Sequence, residues 1–153
     1  MNSITTAAIT LAGGVVLFIL NQWVQKFFFE PLHEQRKVIG EIDFLLIFWA
    51  WTYSMPIAYE LLKAEQIEER QDAARALREV ASKLVATTNA VRAYRIAWGA
   101  PKKTKVREVG QGLIALSNSI FASPDVSGQA RTNHDLAKEI RKLLALSVDP
   151  SRF

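Results

Sequence analysis

The sequence predicts an all-α protein, an N-terminal transmembrane helix followed by a cytoplasmic antiparallel helical bundle, on three observations. Residues 4–24, ITTAAITLAGGVVLFILNQWV, carry no ionisable side chain. Apolar residues recur at steps of three, four and seven through most of the later chain, and no period-two alternation competes with them. Of 19 Lys and Arg and 15 Asp and Glu, three basic and five acidic residues precede Lys63, so the two ends suit different solvents. The length of 153 residues divides as 1–29, a transmembrane anchor; 30–62, a juxtamembrane helix and a second apolar segment; and 63–153, a basic cytoplasmic helical domain.

The first segment is long enough to span. At about 1.5 Å per residue its ~21 residues cover a hydrocarbon core of about 30 Å. A cleaved secretory signal would carry a basic n-region and a small-x-small cleavage site, whereas residues 1–6 have no charged side chain and bulky Trp23, Phe27, Phe28 and Phe29 follow the apolar run. Lys26, Arg36 and Lys37 flank the C-terminal side, so the positive-inside rule puts the N-terminus outside and the remainder in the cytoplasm. The aromatic residues then form a collar at headgroup depth, beside which Lys26 snorkels.

One face of this helix is not greasy. Thr6, Thr10, Gly14, Asn21 and Gln25 follow at steps near four or seven, and Ala8 and Ala12 add a small-xxx-small pair. Such a stripe serves close helix packing, as a homo-oligomer or on another membrane helix; alternatively Asn21 and Gln25 simply sit in the wet interface.

Glu30-Pro31 closes the first segment, and Pro31 suits the first turn of a new helix over residues 32–42. Residues 44–58, FLLIFWAWTYSMPIA, are apolar on every side between Asp43 and Glu60 and are interrupted by Pro56. Three readings fit them: a return span, an interfacial segment with Trp49, Trp51 and Tyr53 at headgroup level, or a buried helix of the bundle. A return span would leave Arg36 and Lys37 outside, against the positive-inside rule.

From Ile57 to Trp98 there is no glycine and no proline, and Leu77, Val80, Leu84, Val91, Tyr94 and Trp98 keep helical spacing, which predicts one long helix of about 40 residues or two nearly collinear ones. Glu65, Glu68, Glu69 and Asp72 lie toward its start and Arg92 and Arg95 toward its end, as the helix dipole prefers. Gly99-Ala100-Pro101 stops it. A helix over residues 104–121 follows, with Val106, Val109, Leu113, Leu116 and Ile120 on one stripe. A loop from Ser123 through Gly128 then leads to a last helix, capped by Thr132 or Asn133, that carries Leu136, Ile140, Leu143 and Leu144. Single-striped amphipathic helices bury their stripes against one another, hence the antiparallel bundle.

Arg92, Arg95, Lys102, Lys103, Lys105 and Arg107 cluster around the break after Trp98 and form a candidate basic membrane-facing patch. A tethered protein meets anionic lipid first, and each basic residue near that surface contributes about 1 kcal/mol. No nucleic-acid module accompanies the patch, so nucleic acid is not an expected partner; a solvated loop is the plainer alternative.

Several chemistries lack their residues. There is no cysteine, so no disulfide, thiolate metal site or cysteine nucleophile, and His33 and His134 stand apart. Neither a phosphate-binding glycine loop, a nucleophile elbow nor a helical zinc-binding pair occurs. His134 beside Asp135 points away from it on a helix. His33 with Glu30, Glu34 and Arg36 makes a juxtamembrane polar ring, suited to headgroup contact, pH sensing or plain solvation. No catalytic, cofactor-binding or metal-binding residues are assigned, and the expectation is a non-enzymatic protein without cofactor.

The run Phe28-Phe29-Glu30-Pro31-Leu32-His33-Glu34-Gln35-Arg36-Lys37-Val38-Ile39-Gly40-Glu41-Ile42, directly after one apolar helix, resembles the juxtamembrane signature of a group of uncharacterised small bacterial membrane proteins. The resemblance covers about the first third of the chain. It implies a bacterial inner-membrane location and an anchored helical body, and it implies no activity. The expected role is a membrane-anchored scaffold or interaction protein whose partners are membrane lipids and either further copies of itself or another protein. The alternative is a membrane-perturbing effector, of holin-like or abortive-infection type, that permeabilises the membrane on oligomerising.

Overall fold

A computed structural model describes residues 3–57, 61–91, 101–121 and 126–146. Among the described residues six α-helices form: α1 Ser3–Val24, α2 Glu30–Phe48, α3 Ala50–Ser54, α4 Ala64–Ala90, α5 Lys103–Asn118 and α6 Val126–Leu143. Among the described residues there is no strand, and the extended backbone pairs at one isolated parallel bridge, Ile57 with Phe121.

The first two helices form one rod. A π-helical turn, Gln25–Phe29, joins them, and the Glu30 amide donates to the Gln25 carbonyl five residues back. Pro31 has no amide hydrogen and its ring crowds the carbonyl four residues earlier; the wider turn relieves that crowding without breaking the helix. Pro31 therefore starts α2 as its spacing predicts, but it does not close α1, contrary to the expectation of two separated helices. At about 1.5 Å per residue the rod over residues 3–48 is about 70 Å long. It contains the one helix among the described residues that is long and apolar enough to cross a membrane.

The distal half of the rod is the first member of a four-helix bundle. Gln35 on α2 donates to Thr88 on α4 at 2.8 Å, Lys83 on α4 reaches Glu41 on α2 at 3.0 Å, and Arg70 on α4 bonds the Thr52 and Met55 carbonyls. α4 therefore runs antiparallel to α2. Arg78 meets Ser117 and Asn118, while the position of a Cβ on Gly110 would lie 3.5 Å from Val85, so α5 runs back along α4. Gly112 faces Leu136 and Ile140, and Asn133 reaches the Ser119 carbonyl, which makes α6 antiparallel to α5. A Cβ on Gly112 would stand 3.0 Å from Ile140, so glycine sets the close α5–α6 crossing.

The core follows the apolar stripes. Val106, Val109, Leu113, Leu116 and Ile120 are all buried, together with Leu77, Val80 and Leu84 on α4, Val91 just past its end, Ile140 on α6 and Leu144 just past its end. From α2 come Val38, Ile42 and Leu46. Leu136 and Leu143 pack on this core partly buried.

Three expectations need correction. The long helix starts at Ala64, not Ile57, because Lys63 is extended (φ −76°, ψ 157°) and the Gln66 side chain accepts from its amide. It ends at Ala90 before extended Val91 (φ −74°, ψ 94°); Thr87 and Thr88 bond back to the carbonyls of Lys83 and Leu84, an alternative to continued helix. Asn133 and Thr132 do not cap the last helix, since α6 is already helical from Val126 and Gly128 lies inside it. Finally, residues 44–57 are not one helix: α2 stops at Phe48, Trp49 turns the chain (φ −94°, ψ 11°), and five-residue α3 ends before Met55. The last five residues of α2 and the five of α3 are each about 7 Å long, and a bend separates them. Leu46, Thr52, Tyr53 and Pro56 are buried in the bundle, whereas Phe44, Ile47, Phe48, Trp51 and Met55 are exposed.

Tyr53 closes the corner by donating to the Leu46 carbonyl at 2.7 Å. Burial pushes its hydroxyl above the ordinary tyrosine value, with nearby Arg141 opposing. A raised folded-state value stabilises the fold below about pH 10, and that contribution is lost as pH climbs beyond it. Tyr53→Phe is expected to cost about 1 kcal/mol at neutral pH. Urea melts from about pH 7 to about pH 11 should show the deficit shrinking as the wild-type phenol ionises; a deficit constant with pH would refute the assignment.

Candidate functional site

The sequence singled out two surfaces, the small and polar stripe of α1 and the basic patch. On α1, Thr10, Gly14 and Asn21 are exposed on the rod, as is Gln25 in the π turn; the side chains of Thr6 and Ala8 lie outside the described residues. A shallow groove lined by Ala7, Thr10, Leu11, Gly14, Val15 and Phe18 runs along the same helix. A Cβ on Gly14 would meet nothing within 4 Å. Around this groove Leu17, Phe18, Ile19 and Leu20 are 50% to 68% exposed, a surface that water does not solvate well. At the end of the apolar run the Trp23 and Phe27 rings lie 4.7 Å apart, and Phe29 is exposed.

The basic patch is brought together in part. Arg92 and Arg95 lie outside the described residues, as do Tyr94 and Trp98. Lys102, Lys103, Lys105 and Arg107 are exposed on and just before the first turns of α5. Helix direction fixes where that end lies. α4 descends from the distal end of the rod, and Thr88 comes level with Gln35, eleven residues beyond Val24. The α4 C-terminus and the α5 N-terminus therefore share the end of the bundle nearest α1, about 15 Å along the rod from its apolar half. Between these two helix ends lies a groove of about 760 Å³ with an apolar wall of Ala81, Val85, Val106 and Ile114 and with Lys103 and Arg107 at its lip.

The polar ring at the start of α2 is exposed. Lys37 bonds Glu34 at 2.7 Å and holds its carboxyl below the usual range. Lys83, bonded to both Glu41 and Glu79, is held above the usual lysine range.

Sequence reasoning missed a set of buried polar side chains that orient the bundle on the rod. Arg70, 6% exposed, donates to the carbonyls of Thr52, Met55 and Ile120, so one guanidinium ties together α3, the turn after it and the end of α5. Burial lowers its pKa, but an arginine stays charged. Asn133 donates to the Tyr53 carbonyl at 2.7 Å. Arg141, 5% exposed, pairs with Asp43, and its Nε and Nη1 have no partner among the described residues. Each was detectable in principle, because Gln35, Arg70 and Asn133 fall in register with the apolar stripes of their own helices. A polar residue on a core stripe signals a buried bond rather than a ligand site. His134 is exposed beside the buried Asn133, and among the described residues no three of His, Asp and Glu gather as a metal site.

Among known proteins, no family model, no curated protein and no solved structure matches the chain.

Proposed function

We propose that the chain is a membrane-anchored helical scaffold that acts by self-association, held by α1 in the bacterial inner membrane with its N-terminus outside and its bundle in the cytoplasm. The observation that carries this reading is the rod itself. One half is bare and apolar, and the other half is covered by the bundle on one side only, so a free face continues along the rod beyond its apolar half. The resemblance of residues 28–42 to small bacterial membrane proteins supports the location. Lys26, Arg36 and Lys37 support the orientation. The basic end of the bundle lies nearest α1, where Lys102, Lys103, Lys105 and Arg107 would face anionic headgroups.

Gly14→Ile and Asn21→Leu test the membrane part. The first fills the groove and the second removes an amide that gains from a partner in hydrocarbon, a contribution of about 0.6–2 kcal/mol per bond. Chemical cross-linking in membranes should yield fewer multimers of the double variant than of the parent. An unchanged ladder would remove the α1 stripe from the interface.

The second reading, a membrane-perturbing effector, is favoured by the same exposed amides on an otherwise apolar helix. Inducing the chain in bacteria while following membrane potential separates the two: a scaffold leaves the potential intact, and an effector collapses it.

A further inference from the structure

A second surface stands unpartnered, well away from α1. Phe44, Ile47, Phe48 and Trp51 are 60%, 42%, 59% and 73% exposed, and the Phe44 and Phe48 rings stack at 5.5 Å. Phe44, Ile47 and Phe48, at i, i+3 and i+4, share one stripe of α2 opposite Val38, Ile42 and Leu46, which face α4, and Trp51 follows on α3 just past the turn at Trp49. No acidic or basic residue interrupts the sequence between Phe44 and Met55. Taking about 150–250 Å² for each whole aromatic side chain, the three rings alone leave about 400 Å² bare. That is the size of the largest patches on ordinary monomers, which are often functional, and about half of what each partner contributes to a standard interface of about 800 Å² a side.

We propose that this stripe docks against the same stripe of a second, parallel copy of the chain, so that the contact between copies continues from the membrane into the bundle. The proposal rests on the self-association reading and specifies its partner surface. Height decides the occupant. Phe44 lies twenty residues beyond Val24, about 30 Å along the helix, whereas the headgroup layer adds about 5–8 Å beyond the hydrocarbon. Lipid therefore does not reach the stripe of an upright rod. Another copy anchored by its own α1 carries the identical stripe at the identical height, and a two-fold axis along the rods then brings aromatic residues onto aromatic residues. Solvent-exposed Trp and Phe are what the desolvated centre of such an interface is made of.

The absence of cysteine makes the test direct. Single-cysteine variants Ile47→Cys, Gly14→Cys and Glu68→Cys, all at exposed positions, are reconstituted as the full chain in vesicles of phosphatidylethanolamine and phosphatidylglycerol and oxidised mildly. Across a two-fold axis Ile47→Cys should form disulfide dimers about tenfold faster than Glu68→Cys on α4, because paired copies meet at high effective concentration. Adding Trp51→Glu should slow it about tenfold, as for an interface hot spot. If Gly14→Cys cross-links and Ile47→Cys does no better than Glu68→Cys, the stripe is not the contact, and self-association through α1 survives. If neither cross-links above Glu68→Cys, the self-association reading itself falls. Quenching of a fluorophore on Ile47→Cys by brominated acyl chains would assign the stripe to lipid and overturn the proposal.

Discussion

Asp43→Ala is expected to destabilise the bundle by about 3–5 kcal/mol, the largest effect of any single substitution considered. Asp43 on α2 is the carboxylate paired with Arg141 on α6, and Arg141 is 5% exposed with Nε and Nη1 already without a partner among the described residues. Removing the carboxylate leaves a guanidinium charge in the core with nothing to offset its desolvation. Removing both members together is different, because the desolvation penalty disappears with the charge. Asp43→Leu combined with Arg141→Met should fall near the parent or exceed it by about 1–4 kcal/mol. Denaturant melts of detergent-solubilised protein followed by tryptophan fluorescence measure both. A single variant within about 1 kcal/mol of the parent would mean that the pair does not set the α2–α6 contact.

Arg70→Ala is expected to cost about 3 kcal/mol. The guanidinium donates to Thr52 and Ile120 at 3.1 Å and to Met55 at 2.8 Å, so it ties two carbonyls of the α3 corner to one just past the end of α5. Alanine leaves a void and three acceptors to be satisfied by water that must enter the base of the bundle. Arg70→Lys should recover less than half of the loss, since a point charge on a flexible stem does not reproduce the planar fork. The same melts apply, with the exposed-site variant Arg75→Ala on the same helix as a control expected to stay within about 0.5 kcal/mol. Full recovery by lysine would show that charge, not the fork, holds the corner.

Helices with strong single stripes were legible in the sequence. The α5 stripe of Val106, Val109, Leu113, Leu116 and Ile120 is buried along its whole length, and the apolar positions named on α4 and α6 are buried or packed on the core. What periodicity does not carry is local geometry. Nothing in the spacing separates Ile57 from the helix beginning at Ala64; that boundary depends on the extended backbone of Lys63 and on the bridge from Ile57 to Phe121, a contact across 64 residues. Pro31 reads as a break because proline lacks a donor, yet a π turn absorbs it and leaves the rod continuous. Residues 44–58 were ambiguous because they are apolar all round; only tertiary packing divides buried Leu46 and Tyr53 from exposed Phe48 and Trp51. Thr10, Gly14, Asn21 and Gln25 of the α1 stripe are exposed, as are Lys102, Lys103 and Lys105 at the start of α5, while Arg92, Arg95 and the side chain of Thr6 fall outside the described residues.

The anchored rod is tested most directly by aqueous maleimide labelling of two single-cysteine variants, Gly14→Cys and Gly40→Cys, in bacteria before and after permeabilising the inner membrane. Within one chain both sites are sterically open, since a Cβ at either meets nothing within 4 Å. A membrane-spanning α1 with a cytoplasmic bundle predicts that Gly14→Cys stays unlabelled throughout and that Gly40→Cys is labelled only after permeabilisation. Labelling of Gly14→Cys as fast as Gly40→Cys, or labelling of Gly40→Cys in intact cells, would contradict it.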